Sequence, residues 1–198
     1  MKHCLTIYLL LIVLSMVSSC HMTIPEDNFN IRNRMISGDS LHIYSTLDEP
    51  VGRYFNENKT YYSVRFGKIR TLQGGIDGEP LQGVYELYVK KKLMMKGSFR
   101  NGLKNGKWFV WSANGTLNSI ANYQAGIAQG EYKEFDQEGN LRLQGKFSKG
   151  QLNGLTKIVA DGQSKTFRYK NGVVTDTLQS NSGLFKWMKV IRSTDDEY

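Results

Sequence analysis

The chain has 198 residues, 40% of them hydrophobic, with a formal net charge of +8 and only two cysteines. That length accommodates one domain of ordinary size with a sizeable core. Two cysteines exclude a disulfide-dense scaffold and a four-cysteine zinc site, so the fold rests on packing.

The first twenty residues read as an export address. Met1-Lys2-His3 is a short basic start, Leu5 to Val17 is a thirteen-residue apolar core, and Val17-Ser18-Ser19-Cys20 closes it. Such a core is shorter than the about 20 residues a helix needs to cross a bilayer. Small residues before a cysteine have lipobox form, in which the cysteine is acylated and becomes the mature N-terminus. The expectation is a signal peptide over 1–19 and a lipid on Cys20, anchoring the chain in a bacterial cell envelope on a periplasm-facing leaflet. Cys4 leaves with the signal, so the mature chain forms no internal disulfide. An exported basic chain meets no nucleic acid; an acidic envelope protein, an anionic glycan or lipid headgroups are its expected counter-charges.

Residues 20–37 follow neither helical nor strand periodicity and read as a lipidated tether. From residue 38 to 180 the chain reads as a repeat domain, opening with the alternating runs Leu41–Tyr44, Lys59–Phe66 and Lys68–Leu72, which are strand patterns.

A repeat then becomes visible. Leu93, Leu117 and Leu141 are 24 residues apart, as are Phe99, Tyr123 and Phe147, Gly102, Gly126 and Gly150, and Gly106, Gly130 and Gly154. An upstream partial copy matches Gly83 to Gly106 at a spacing of 23. Within Leu141–Phe147 the residues Leu141, Leu143, Gly145 and Phe147 fall on one face and Arg142, Gln144 and Lys146 on the other, the alternation of a half-buried strand. The third inward position is always small: Gly97, Ala121, Gly145. Bulky residues of the next strand, Trp108 and Trp111 or Tyr132 and Phe135, are expected to lie across it. Asn-Gly and similar pairs between the strands are hairpin signals, because two-residue turns need positive φ at both centres. Each unit is therefore a hairpin of about two dozen residues that is stable only when stacked on its neighbours. The fold class expected is all-β, an antiparallel sheet of successive hairpins.

Gly102, Gly106, Trp108, Trp111 and Gly115, with their equivalents one unit on, resemble the MORN-variant repeat proteins of bacteria, the YwqK type, over about Tyr61 to Val174. The resemblance implies a twisted sheet of hairpins on an envelope lipoprotein. It also brings the label "antitoxin of a toxin–antitoxin system", carried by many members. The third unit departs from the pattern, with Thr156 and Val159 in place of the aromatics.

At the C-terminus Leu184, Trp187, Met188 and Ile191 fall at helical spacing, with Lys186, Lys189 and Arg192 elsewhere. Residues 181–198 are expected to form an amphipathic helix and tail that cap the last repeat.

Chemistry-bearing residues are sparse. No metal-ligand pair, nucleophile elbow or phosphate loop is present, and His42 on an alternating strand reads as a satisfied residue. Lys90-Lys91-Lys92 reads as a solvated turn and Glu134–Gly139 as a hairpin tip without calcium-loop spacing. The expectation is a non-enzymatic protein without cofactor or metal. Its contact residues are expected on the polar face of the repeats: Lys96, Arg100, Asn118, Asn122, Arg142, Gln144 and Lys146. Such a face is flat, suited to an acidic protein or a glycan and not to a small molecule, which needs a concave apolar pocket.

Overall fold

A computed structural model of the chain describes residues 33–47, 55–160 and 162–177. The expected signal peptide, Cys20 and the expected helix over 181–198 lie outside these residues. The described chain is all β. Its strands are β1 (Asn33–Ser37), β2 (Ser40–Thr46), β3 (Thr60–Arg65), β4 (Lys68–Gln73), β5 (Glu79–Val89), β6 (Lys92–Arg100) and β7 (Leu103–Trp111). They continue with β8 (Leu117–Gln124), β9 (Ile127–Phe135), β10 (Leu141–Ser148), β11 (Gln151–Leu152), β12 (Gly154–Ala160), β13 (Gln163–Lys170) and β14 (Val173–Thr177). The main path through the sheet is β1-β2-β5-β6-β7-β8-β9-β10-β12-β13-β14, with β11 pairing to β10 and the β3–β4 hairpin joining through β5. The strand β1 begins inside the segment read as tether. Arg34, Ile36 and Ser37 are exposed there, so an edge strand with little to bury left no apolar alternation to read.

Two glycine positions set the period. In the turns Asn101-Gly102, Ala125-Gly126, Lys149-Gly150 and Asn171-Gly172 both residues have positive φ, between 48° and 84°. That is the left-handed pair required by two-residue hairpins. Each turn glycine also donates its N–H backwards: Gly102 to Leu81 O at 2.8 Å, Gly126 to Lys104 O at 2.8 Å, Gly150 to Ala128 O at 3.0 Å, and Gly172 to Leu152 O at 2.9 Å. The acceptors are themselves one repeat apart, so every hairpin is stitched to its predecessor by the same bond. The second glycine, at Gly106, Gly130 and Gly154, has φ of 72°, 93° and 89°. Around Gly106 and Gly130 the ladder register shifts, as a β-bulge requires.

The small positions behave as expected. A Cβ on Gly97 would overlap the Trp108 indole, 2.7 Å from Cε3 and closer still to Cδ2 and Cε2. In the next unit Trp108 and Tyr132 both pair with Ala121, and in the third Thr156 lies over Gly145, whose added Cβ would sit 2.7 Å from Thr156 Oγ1. The replacement of an aromatic by Thr156 thus keeps the position filled: Thr156 is fully buried. The core has two clusters. One joins Tyr44, Leu81, Tyr85, Phe99 and Trp108; the other joins Tyr132, Leu143, Ile158, Phe167 and Tyr169.

Of the core residues named from sequence, Phe99, Trp108 and Tyr132 are buried, and Tyr123 and Phe147 pack against the clusters from partly buried positions. Leu93, Leu117, Leu141 and Phe135 are half-buried. Trp111 is a correction. Three residues along an extended strand reverse the side, and Trp111 stacks on Phe109, with ring centroids 5.9 Å apart, away from the cluster that holds Trp108.

Candidate functional site

The sheet presents an inner face, on which both core clusters lie, and an outer face. Cross-strand pairing runs a continuous outer row through Glu86, Lys96, Phe109, Ile120, Lys133, Gln144 and Lys157. Beside it, Lys107 pairs with Asn122, Glu131 with Lys146, and Leu155 with Arg168. A shallow cleft of about 240 Å³ lined by Lys107, Ile120, Asn122, Glu131 and Lys133 confirms that the two rows share a side. Lys107, Lys146, Lys157 and Arg168 are exposed. Lys96 bonds Glu86 at 2.9 Å, and Glu86 also accepts from the Tyr88 hydroxyl at 3.3 Å. The outer face is therefore basic.

Not all seven contact residues named from sequence lie on it. Lys96, Asn122, Gln144 and Lys146 do. Asn122 also spends its amide on Gln129 O at 2.8 Å, which holds the Gly130 bulge. Arg100 is exposed beside the Asn101-Gly102 turn. Asn118 and Arg142 are corrections: both line a cleft of about 860 Å³ on the inner face. The register of β7–β8 and of β9–β10 shifts at these two residues, inserting one extra residue in each unit. A bulge re-aims the side chain it carries, which strict alternation cannot show. Arg142 there bonds Glu134 at 2.9 Å, and the glutamate side chain is only 7% exposed. It is a structural ion pair, and Arg142 is unsuited to capturing a partner on the outer face.

The inner cleft was not anticipated. Its walls include Met95, Trp108, Val110, Ala121, Tyr132 and Phe147, with Lys104 and Arg142 as its cations and Asp136 and Glu138 as its acids. Lys104 Nζ lies 4.7, 5.1 and 5.8 Å from the ring centroids of Trp108, Tyr123 and Tyr62. Burial pushes its pKa below the usual lysine value. The sequence did hold a signal. The repeat places Lys104 in register with Leu81, Ala128 and Leu152, all apolar, so a lysine there breaks the unit's own rule.

The remaining polar motifs are local. His42 Nδ1 lies 2.8 Å from the Tyr85 hydroxyl, and burial lowers the imidazole pKa. Lys90 and Lys91 form a two-residue turn with φ of 49° and 66°, and Lys92 Nζ donates to Ala113 O at 2.7 Å. The tip Asp136–Asn140 repeats the loop Ser112–Thr116, with Asp136 N–H donating to Asn140 O and Ser112 N–H to Thr116 O, both at 2.9 Å. Desolvation raises the Asp136 carboxyl's pKa, but hydrogen bonds from Asn140, Glu138 and Gly139 together outweigh it and hold the group below its usual value. Among the described residues no three His, Cys, Asp or Glu side chains cluster as metal ligands. No protein-family model matches the chain, and no curated protein matches it.

Proposed function

We propose that the protein is a non-catalytic lipoprotein of the bacterial envelope, of MORN-variant type, whose hairpin sheet docks an acidic protein partner on its outer face. The observation that carries this reading is the run of exposed lysines, Lys107, Lys146 and Lys157, on adjacent outer rows of one rigid sheet. Complementary charge of that kind steers and orients a partner. Lipid on Cys20 would hold the sheet at the membrane, the helix over 181–198 would cap the last repeat, and an antitoxin-like role is one form such docking would take.

A second reading, binding of a cell-wall glycan, has one specific support. Phe109 and Trp111 stack on each other, and Phe109 lies in the outer row. Trp108 and Tyr132 give it none, because at 2% and 6% exposure they offer no ring face to a sugar.

The test is retention of the mature protein on immobilised poly-L-glutamate and on purified peptidoglycan across a salt series. Docking by the lysine rows predicts salt-sensitive retention on polyglutamate, since exposed charges are screened over about 8 Å at physiological ionic strength. Retention on peptidoglycan alone, lost in Trp111→Ala, would transfer the function to the aromatic pair.

A further inference from the structure

Lys104 occupies a position that the repeat keeps apolar. Its equivalents are Leu81, fully buried, Ala128 and Leu152, and all four accept the same hydrogen bond from the following turn glycine. Placing an ammonium there costs desolvation that an aliphatic side chain avoids. The rings of Trp108, Tyr123 and Tyr62 offset part of that cost through cation–π attraction. Among the described residues, no carboxylate lies within ion-pairing distance of Lys104. The other cation of the cleft, Arg142, is engaged by Glu134. One end of the cleft of about 860 Å³ therefore carries a positive charge with no ion-pair partner among the described residues, while Asp136 and Glu138 line the cleft at the Asp136–Asn140 tip.

We propose that this inner cleft binds an amphipathic monocarboxylate, its carboxylate on Lys104 and its apolar body running along the inner face from Trp108 towards Ser112. Strand geometry sets the length. Four residues of β7 span about 13 Å at roughly 3.3 Å per residue, which suits a chain of about ten carbons. The walls suit an acyl or aryl chain better than a peptide. The backbone N–H and C=O groups of β7 to β10 are committed to the ladder, so a peptide backbone laid on this face would find few partners for its own polar groups, whereas an alkyl chain has none to satisfy. The half-buried Met95, Val110 and Ala121 receive the chain, and Asn118 and Ser112 stand at its far end with Asp136 and Glu138. The size falls within the range typical of small-molecule sites.

Submicellar decanoate is titrated into the mature protein by calorimetry, with decyltrimethylammonium as the probe of equal length and opposite charge. Saturable decanoate binding at least tenfold tighter than that of the cation is expected. Lys104→Met, which restores the apolar character of Leu81 and Leu152, should keep or raise the melting temperature and lose at least tenfold in decanoate affinity, while Lys104→Arg retains it. In the wild-type protein, bound decanoate should show nuclear Overhauser contacts to the Val110 and Ala121 methyls and the Lys104 methylenes, a readout independent of any variant folding. No saturable binding to wild type, equal affinity for the two probes, unchanged affinity in folded Lys104→Met, or contacts elsewhere would each overturn the proposal. Its failure leaves the outer-face reading untouched, because that face is probed separately by polyglutamate.

Discussion

Substituting Gly97 with alanine tests the stacking of one unit on the next. The added Cβ would lie 2.7 Å from Trp108 Cε3 and closer to two further indole carbons, against an ordinary carbon–carbon separation of about 3.5–4.0 Å. The ring must withdraw by about 1 Å or more. It has nowhere to go: the rings of Phe99, Tyr85 and Tyr123 stand at centroid distances of 4.9, 5.9 and 6.4 Å, and Nε1 is held to Ser98 O at 3.2 Å. Overpacking costs about 1–3 kcal/mol, and losing a buried tryptophan altogether costs about 3–5 kcal/mol. Replacing glycine by alanine returns about 0.4–1 kcal/mol through the unfolded chain. The net expectation is a loss of about 2–3 kcal/mol, or a melting temperature lower by about 4–12 °C for a chain of this length. Urea denaturation followed by tryptophan fluorescence measures it. Gly106→Ala is the control: no atom lies within 4 Å of its added Cβ, and only its φ of +72° opposes the change, at about 1–2 kcal/mol. In Gly97→Ala the smaller Trp108→Phe should restore part of the loss, a coupling that Gly106→Ala should not show. A Gly97→Ala protein as stable as wild type would refute the close approach of Trp108 and with it the packing rule of the repeat.

Arg142→Gln should destabilise by about 3 kcal/mol, because it leaves a Glu134 side chain only 7% exposed without its cation, whereas Lys146→Ala on the outer face should stay within about 0.5 kcal/mol; equal losses in thermal denaturation would contradict the bulge. Burial, with a smaller contribution from Tyr62, pushes the Tyr85 phenol up to about 12. The neutral phenol is thus favoured in the folded state, its stabilisation is complete below pH 10, and it is lost as pH rises from 10 towards 12. The wild-type protein should lose on the order of 2 kcal/mol over that window by comparison with Tyr85→Phe, and parallel pH profiles for the two would count against a buried phenol. Ala125→Asn should raise stability by about 0.5–1 kcal/mol, since Ala125 holds φ of +48° in a turn where asparagine is at ease; no gain in urea midpoint would dispute the left-handed turn.

The hairpin order was legible because its determinants are local and repeat. Turn pairs such as Asn101-Gly102 announce themselves by chemistry, and the small positions Gly97, Ala121 and Gly145 recur at one spacing. The faces were legible only where alternation is unbroken, as in Lys96 or Gln144. Asn118 and Arg142 were misplaced because a bulge inserts one residue and leaves no mark in a hydrophobic pattern. Trp111 was misplaced for the opposite reason: family spacing pairs it with Trp108, but period two puts positions three apart on different sides. The strand β1 was missed because a mostly exposed edge has no apolar alternation. The cleft lies beyond any local signal, being formed by side chains of β6 to β10 together. Lys104 was its one trace in the sequence, and seeing it needs the aligned units compared for charge as well as for size.

The proposed docking places the acidic partner on the outer lysine rows. It is tested most directly by charge reversal at Lys107, Lys146 and Lys157 together, in the mature protein, with retention on polyglutamate and the melting temperature read on the same samples. Retention should be abolished at physiological salt. Melting should shift by only a few degrees, because all three side chains are exposed. Undiminished retention by the folded triple variant would contradict it.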